Sequence, residues 1–151
     1  MKRVLSVLLA SAVFATLVAA ALKSNRIVRP AYADSGCSVA TLNSSYGFSE
    51  SGFALVSGSQ VPFAAVGLLE FDGRGNSSIT YTFAFGGTIS TSQTGTGTYS
   101  VNTNCTGSVS FTTGNAAGIT DNIAIARGAE VLGIQTNSGV TATFDAKKQA
   151  D

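Results

Sequence analysis

The stretch Ser78-Ile79-Thr80-Tyr81-Thr82-Phe83-Ala84-Phe85 alternates without a break. Ile79, Tyr81, Phe83 and Phe85 fall on one face, and Ser78, Thr80, Thr82 and Ala84 on the other. A side-chain period of two is that of a half-buried β-strand. Moving outward, the next run sets Gly95, Gly97, Tyr99 and Val101 against Thr94, Thr96, Thr98 and Ser100. The one after it sets Gly107, Val109 and Phe111 against Thr106, Ser108, Ser110 and Thr112. Runs of this kind span 38-48, 62-71, 77-85, 94-101, 105-113, 119-127, 129-136 and 140-146, with Gly, Asn, Asp and Ser between them. Eight short strands at that spacing predict an all-β fold, an eight-stranded antiparallel up-and-down meander closed as a barrel. The Thr-rich outer faces suit it, because β-branched side chains pack well on a pleated surface.

The connections can be read too. Phe71-Asp72-Gly73-Arg74-Gly75-Asn76 predicts a tight hairpin, its glycines free to take positive φ. Arg127-Gly128-Ala129-Glu130 and Asn137-Ser138-Gly139 punctuate the chain in the same way. Residues 49-61, rich in Gly and Ser, read as a longer mobile loop at one mouth of the barrel. The run 62-71 is apolar on both faces: Phe63, Ala65, Gly67, Leu69 and Phe71 on one, Ala64, Val66, Leu68 and then Glu70 on the other. Such a strand calls for a cover, from the N-terminal arm, from loop 49-61 or from a second copy in a homo-oligomer. The inner-face glycines have two explanations: sharp coiling of a closing barrel, or room for something inside.

Residues 1-33 have a different character. Lys2 and Arg3 precede an uncharged Ala/Leu/Val-rich run from Val4 to Leu22, the pattern of a helical secretion signal. Ala31-Tyr32-Ala33 has the small-x-small form, and cleavage after Ala33 leaves 34-151 as one barrel domain. Ala19-Ala20-Ala21 offers a second cleavage point. Retention as an anchor competes, because roughly 20 apolar residues span a bilayer. Asp34 before Ser35-Gly36-Cys37 argues against a lipoprotein site. The expected location is therefore secreted or periplasmic, in a bacterium, with membrane contact only through an uncleaved N-terminal segment.

The signal carries Lys2, Arg3, Lys23, Arg26 and Arg29, five of the nine basic residues. The remainder holds four basic residues against eight acidic ones, a formal charge of −4. Nucleic acid is not an expected partner, since that role needs a clustered basic face. Cys37 and Cys105 are the two cysteines. An even count in an exported chain reads as a disulfide. Cys37 precedes the first strand and Cys105 opens the fifth. Odd-numbered strands of a meander start at the same end, so the bridge would tie the N-terminal arm across that end.

Chemistry is sparsely signalled. The chain has no His, which removes Ser-His-Asp and Cys-His catalysis and the commonest metal ligand. Two cysteines alone make a poor metal site, and Asp72 to Asn76 has neither the length nor the closing Glu of a calcium loop. No metal, cofactor or catalytic residue is assigned. The ligand-binding candidates are Tyr46, Glu70, Tyr81, Phe83 and Tyr99. Tyrosines place a polar tip on an apolar body. Glu70 would gain a raised pKa if its face turned inward, and the alternative is a solvated strand end.

The strings 37-48 (CSVATLNSSYGF), 66-76 (VGLLEFDGRGN) and 95-107 (GTGTYSVNTNCTG) resemble a group of small exported bacterial β-barrel proteins of unassigned function. The resemblance covers most of 37-113 and implies a secreted barrel. At the level of architecture the chain is similar to calycin-type and allene-oxide-cyclase-like barrels, which is weak evidence for activity. Lipocalins carry Gly-x-Trp near the first strand and avidins line their site with Trp. This chain has no Trp, so neither family's binding residues carry over.

Three roles follow: a binder of a small apolar or amphipathic ligand within the barrel, a non-catalytic envelope or matrix protein acting by surface contacts, and an isomerase or cyclase. Interior volume separates the first two, and a buried carboxylate facing a cavity would favour the third.

Overall fold

A computed structural model describes residues 36-126 and 130-150. The segment 1-33, read above as a signal helix, lies outside them, as do residues 127-129. Eight strands form a closed barrel in chain order: β1 (Asn43–Val56), β2 (Ser59–Asp72), β3 (Asn76–Phe85), β4 (Thr88–Val101), β5 (Thr106–Phe111), β6 (Thr120–Ala126), β7 (Glu130–Gln135) and β8 (Val140–Lys148). Every neighbouring pair is antiparallel. β1 against β8, with Phe48 opposite Ala146, completes the circle. Closure gives each strand a neighbour on both sides, although β4 pairs with β5 only over Gly97 to Val101 and its earlier residues 88-95 have no strand partner on that side among the described residues.

The inner and outer faces follow the alternation. Tyr81, Tyr99, Val109 and Phe111 are buried, together with Tyr46, Phe48, Leu69, Phe71, Ile123, Val131 and Phe144. The expected bounds shift at the first strand, which begins at Asn43 rather than at 38, and at the fourth, which begins at Thr88 rather than at 94, and the largest departure is 49-61. It is not a loop: β1 and β2 continue through it, paired from Asn43–Asp72 to Val56–Ser59. The turn is Ser57-Gly58, with φ of 50° and 82°, the two positive φ values of a tight hairpin whose twist matches its strands.

The inner glycines are explained by close approach. A Cβ on Gly67 would meet the backbone of Thr80 and Tyr81, and one on Gly97 would meet that of Ser110 and Phe111. At Gly95 the space is taken by Ala116, and at Gly133 by the Phe144 ring. These positions let the barrel coil tightly and do not open its interior.

The end at which the odd strands begin is closed. The arm before β1 makes a 3-10 turn, Val39–Thr41, and drives Leu42, fully buried, into the core. Tyr99 reaches from β4 to this arm, and Cys37 is bonded to Cys105 just ahead of β5. The expected disulfide therefore ties the arm across one barrel end, a linkage consistent with an oxidising compartment. Among the described residues no helix is long and apolar enough to cross a membrane.

Candidate functional site

The opposite end is open. The β1–β2 and β3–β4 hairpins extend there beyond the shorter β5–β8, and a cavity of about 330 Å³ lies inside the mouth. Phe63 from β2 and Tyr81, Phe83 and Phe85 from β3 form its aromatic wall. Their rings pack in sequence, with Phe63–Phe83 centroids 5.7 Å apart and Phe83–Phe85 centroids 5.9 Å apart. Gln93, Asn115 and Gln135 bring amides to it, and Ser90 a hydroxyl. A bulge in β4, where Gln93 pairs with Tyr81 but Ser90 with Phe83, sets Gln93 and Ser90 on this side. The inward face of β1 adds Ala54 and Glu50.

Glu50 also lines a smaller space beneath, of about 30 Å³, together with Phe48, Leu69, Tyr81, Asp121 and Phe144. Two carboxylates thus point into the barrel among apolar side chains. Asp121 is 4% exposed, and its Oδ1 has no hydrogen-bond partner. Burial raises the Asp121 carboxyl to about 6. Burial, and then the nearby Asp121 charge, raise Glu50 to about 7. Charge is disfavoured in low-dielectric surroundings and beside a like charge. At neutral pH Glu50 is therefore poised between donating and accepting a proton.

The five sequence candidates are divided by the fold. Tyr81 and Phe83 line the cavity. Burial, then Glu50, raise the Tyr81 hydroxyl. Tyr46 and Tyr99 lie instead in the closed-end core, each edge-on to Phe71 at 5.6 and 4.8 Å. The Tyr99 hydroxyl is committed to the N-terminal arm. Glu70 is outside the barrel, because the face Ala64, Val66, Leu68 and Glu70 turns outward. It accepts hydrogen bonds from Ser45 (3.3 Å) and Ser78 (2.8 Å) and lines an open outer depression of about 750 Å³ beside the Asp72–Asn76 turn. That depression is larger than the cavity but has no aromatic wall and no buried, unpartnered polar group aimed into it other than Ser77.

Glu50 and Asp121 were not among the sequence candidates. Parity could have found both. Extending Tyr46, Phe48 by two reaches Glu50, and Asp121 shares a face with Ile123 and Ile125. Among the described residues no group of three or more His, Cys, Asp or Glu side chains could hold a metal. No protein-family model, curated protein or solved structure matches the chain, and the site stands on its own geometry.

Proposed function

We propose that this protein is an exported barrel that binds a small amphipathic molecule in its open mouth. The observation that carries the reading is the cavity of about 330 Å³ with an aromatic wall, a few convergent amides and one carboxylate at its base. Ligand pockets are of that size and are mostly apolar, with a small number of polar groups that fix orientation. Export, to the periplasm or the medium, fits the disulfide and the signal-like residues 1-33, and so does the resemblance to small exported bacterial barrels. Native mass spectrometry of the protein from its own producing cells is the test. A stoichiometric added mass that disappears on denaturation is the expected result. A bare chain mass, with no uptake of apolar probes in titration, would overturn the reading.

Glu50 is also placed to move a proton on whatever occupies the mouth, which is the observation favouring an isomerase or cyclase. Return of the bound molecule chemically unchanged separates binding from turnover. A role through surface contacts draws on a different feature. Val66 is 60% exposed on the outer face of β2, and Leu132 and Ile134 are exposed on β7, across the β1 and β8 strands that separate them. Ser49 and Asp145 lie between these two apolar patches, and sedimentation distinguishes this reading, since a second copy covering either patch would give a dimer.

A further inference from the structure

Among the described residues no cation faces the two inward carboxylates, Glu50 at the base of the cavity and Asp121 in the space beneath it. Asp121 is a buried carboxylate with one oxygen, Oδ1, left without a partner. A buried polar atom in that state calls for an explanation, and a ligand atom is one. Glu50 stands beside it, at the junction of the lower space with the open cavity. Of the cationic side chains in the described residues, Arg74 is exposed in the β2–β3 turn, and Lys147 and Lys148 are exposed at the end of β8. Lys147 is engaged with Glu130 (3.7 Å) and Asp145 (3.4 Å) outside the barrel. None of the three reaches the interior pair.

We infer that the mouth takes a small organic cation, an amine with an apolar body, whose ammonium group is held by Glu50 and Asp121. This rests on the ligand-binding reading above and names the ligand's chemistry. An ammonium supplies three donors and a positive charge, which satisfies Asp121 Oδ1 and removes the repulsion between the two carboxylates. The faces of Tyr81 and Phe83 offer cation–π attraction and an apolar wall for the rest of the molecule. A hydrated divalent metal fits less well. Calcium needs six to eight oxygens, and the lower space is otherwise lined by apolar groups and Tyr81.

The titratable groups facing the pair are few. Tyr81 on β3 adjoins Glu50, while Phe48, Leu69, Val109, Phe111, Ile119 and Phe144 on the surrounding elements are apolar. At pH 7 the pair by itself therefore retains roughly half a proton, most of it on Glu50, because of the raised values of both carboxyls. A bound cation would displace it into solvent.

Calorimetry on the disulfide-bonded protein at pH 7, with 2-phenylethylamine, 2-phenylethanol and 3-phenylpropanoate, tests this. The expected result is amine binding at least tenfold tighter than alcohol binding, with the acid weaker still. Repeating the amine titration in buffers of different ionisation enthalpy should show proton release. In Asp121→Asn and Glu50→Gln the advantage of the amine over the alcohol should be lost. Equal binding of alcohol and amine, or amine binding without proton release, would overturn the inference and leave the binding reading intact. Failure of all three probes, and of a wider set of neutral apolar probes, to bind the unaltered protein would overturn both.

Discussion

The Tyr99 hydroxyl lies 2.8 Å from the carbonyl oxygen of Leu42, 57 residues earlier in the chain. It lies equally close to that of Val39. One β4 side chain thus holds the arm that plugs the closed barrel end. Tyr99→Phe keeps the ring against Phe71 but leaves the Leu42 carbonyl buried without this donor. An unsatisfied buried acceptor costs about 1–3 kcal/mol. Urea unfolding should show a lower midpoint with an unchanged slope. An unchanged midpoint would mean that water replaces the hydroxyl.

The covalent tie on the same arm acts on the unfolded chain. Cys37 and Cys105 are 68 residues apart, and closing a loop of that length removes denatured-state entropy equivalent to about 4 kcal/mol. Paired Cys37→Ser and Cys105→Ser changes should lower the thermal midpoint in calorimetry. Ligand binding at the far, open end should survive wherever the barrel remains folded. Loss of binding in a folded double variant would show that the closed end also shapes the mouth.

Legibility in the sequence ran along the strands whose inner face is continuously apolar or Gly. Ile79-Tyr81-Phe83-Phe85 and Gly95-Gly97-Tyr99-Val101 declare their faces by contrast with Thr and Ser. Between Ser49 and Gly52 the contrast disappears, because the inward positions are Glu50 and Gly52 and the outward ones are serines. A strand that carries a carboxylate inward therefore reads as a polar loop. That one misreading hid both the length of the β1–β2 hairpin and the depth of the mouth. It also left Glu70 as the carboxylate candidate on β2, although Glu70 belongs to the outer parity. Pairing register was likewise beyond reach of periodicity alone. It depends on which residues meet across strands, such as Gly67 and Tyr81.

The inward carboxylates make stability depend on pH in an unusual direction. Both have folded values above their ordinary ones, Glu50 at about 7 against 4.5 and Asp121 at about 6 against 3.8. Between those limits the folded state binds more protons than the unfolded state, so unfolding free energy falls as pH rises. The contribution is fully present below about pH 4 and is lost progressively up to about pH 7. Together the two carboxyls contribute on the order of 6 kcal/mol, since each pH unit between a folded and an ordinary value is worth about 1.4 kcal/mol. Asp121→Asn removes one carboxylate and the repulsion on the other. Denaturant midpoints for that variant should therefore be flatter across pH 4 to 7 and higher than those of the unaltered protein at pH 8.

Asp72 behaves in the opposite sense. Its side chain accepts hydrogen bonds from the Arg74 and Asn76 backbone at 2.8 and 2.9 Å, and from the Asn76 side-chain amide. The Asn76 amide first, then the backbone donors, hold its carboxyl down at about 2. A carboxylate that accepts several N–H bonds keeps its charge to low pH. Carbon-detected NMR should find Asp72 titrating near pH 2, well below an unrestrained Asp at 3.8. Its titration and the amide shifts of Arg74 and Asn76 should move together. A midpoint near the ordinary value would mean that the turn opens in solution.

Two inner glycines offer a comparison in which the nature of the obstacle decides the cost. At Gly67 an added Cβ meets the Thr80 carbonyl and the Tyr81 main chain, which the β2–β3 hydrogen bonds hold in place. At Gly133 it meets the outer edge of the Phe144 ring, which can swing while its backbone stays fixed. Overpacking a fixed neighbour costs about 1–3 kcal/mol. Alanine also trims the freedom of the unfolded chain, by roughly 0.4–1 kcal/mol in favour of folding. At Gly67 the clash outweighs that gain, so Gly67→Ala should destabilise clearly and loosen the β2–β3 pairing in hydrogen exchange. At Gly133 the two effects nearly offset, and Gly133→Ala should sit close to the unaltered protein in urea. Phe144 also lines the space beneath Glu50. A ring pushed aside by the methyl group of Gly133→Ala should therefore leave its mark on ligand affinity and little on stability, whereas the reverse order of stabilities would show that Phe144 is locked by its packing.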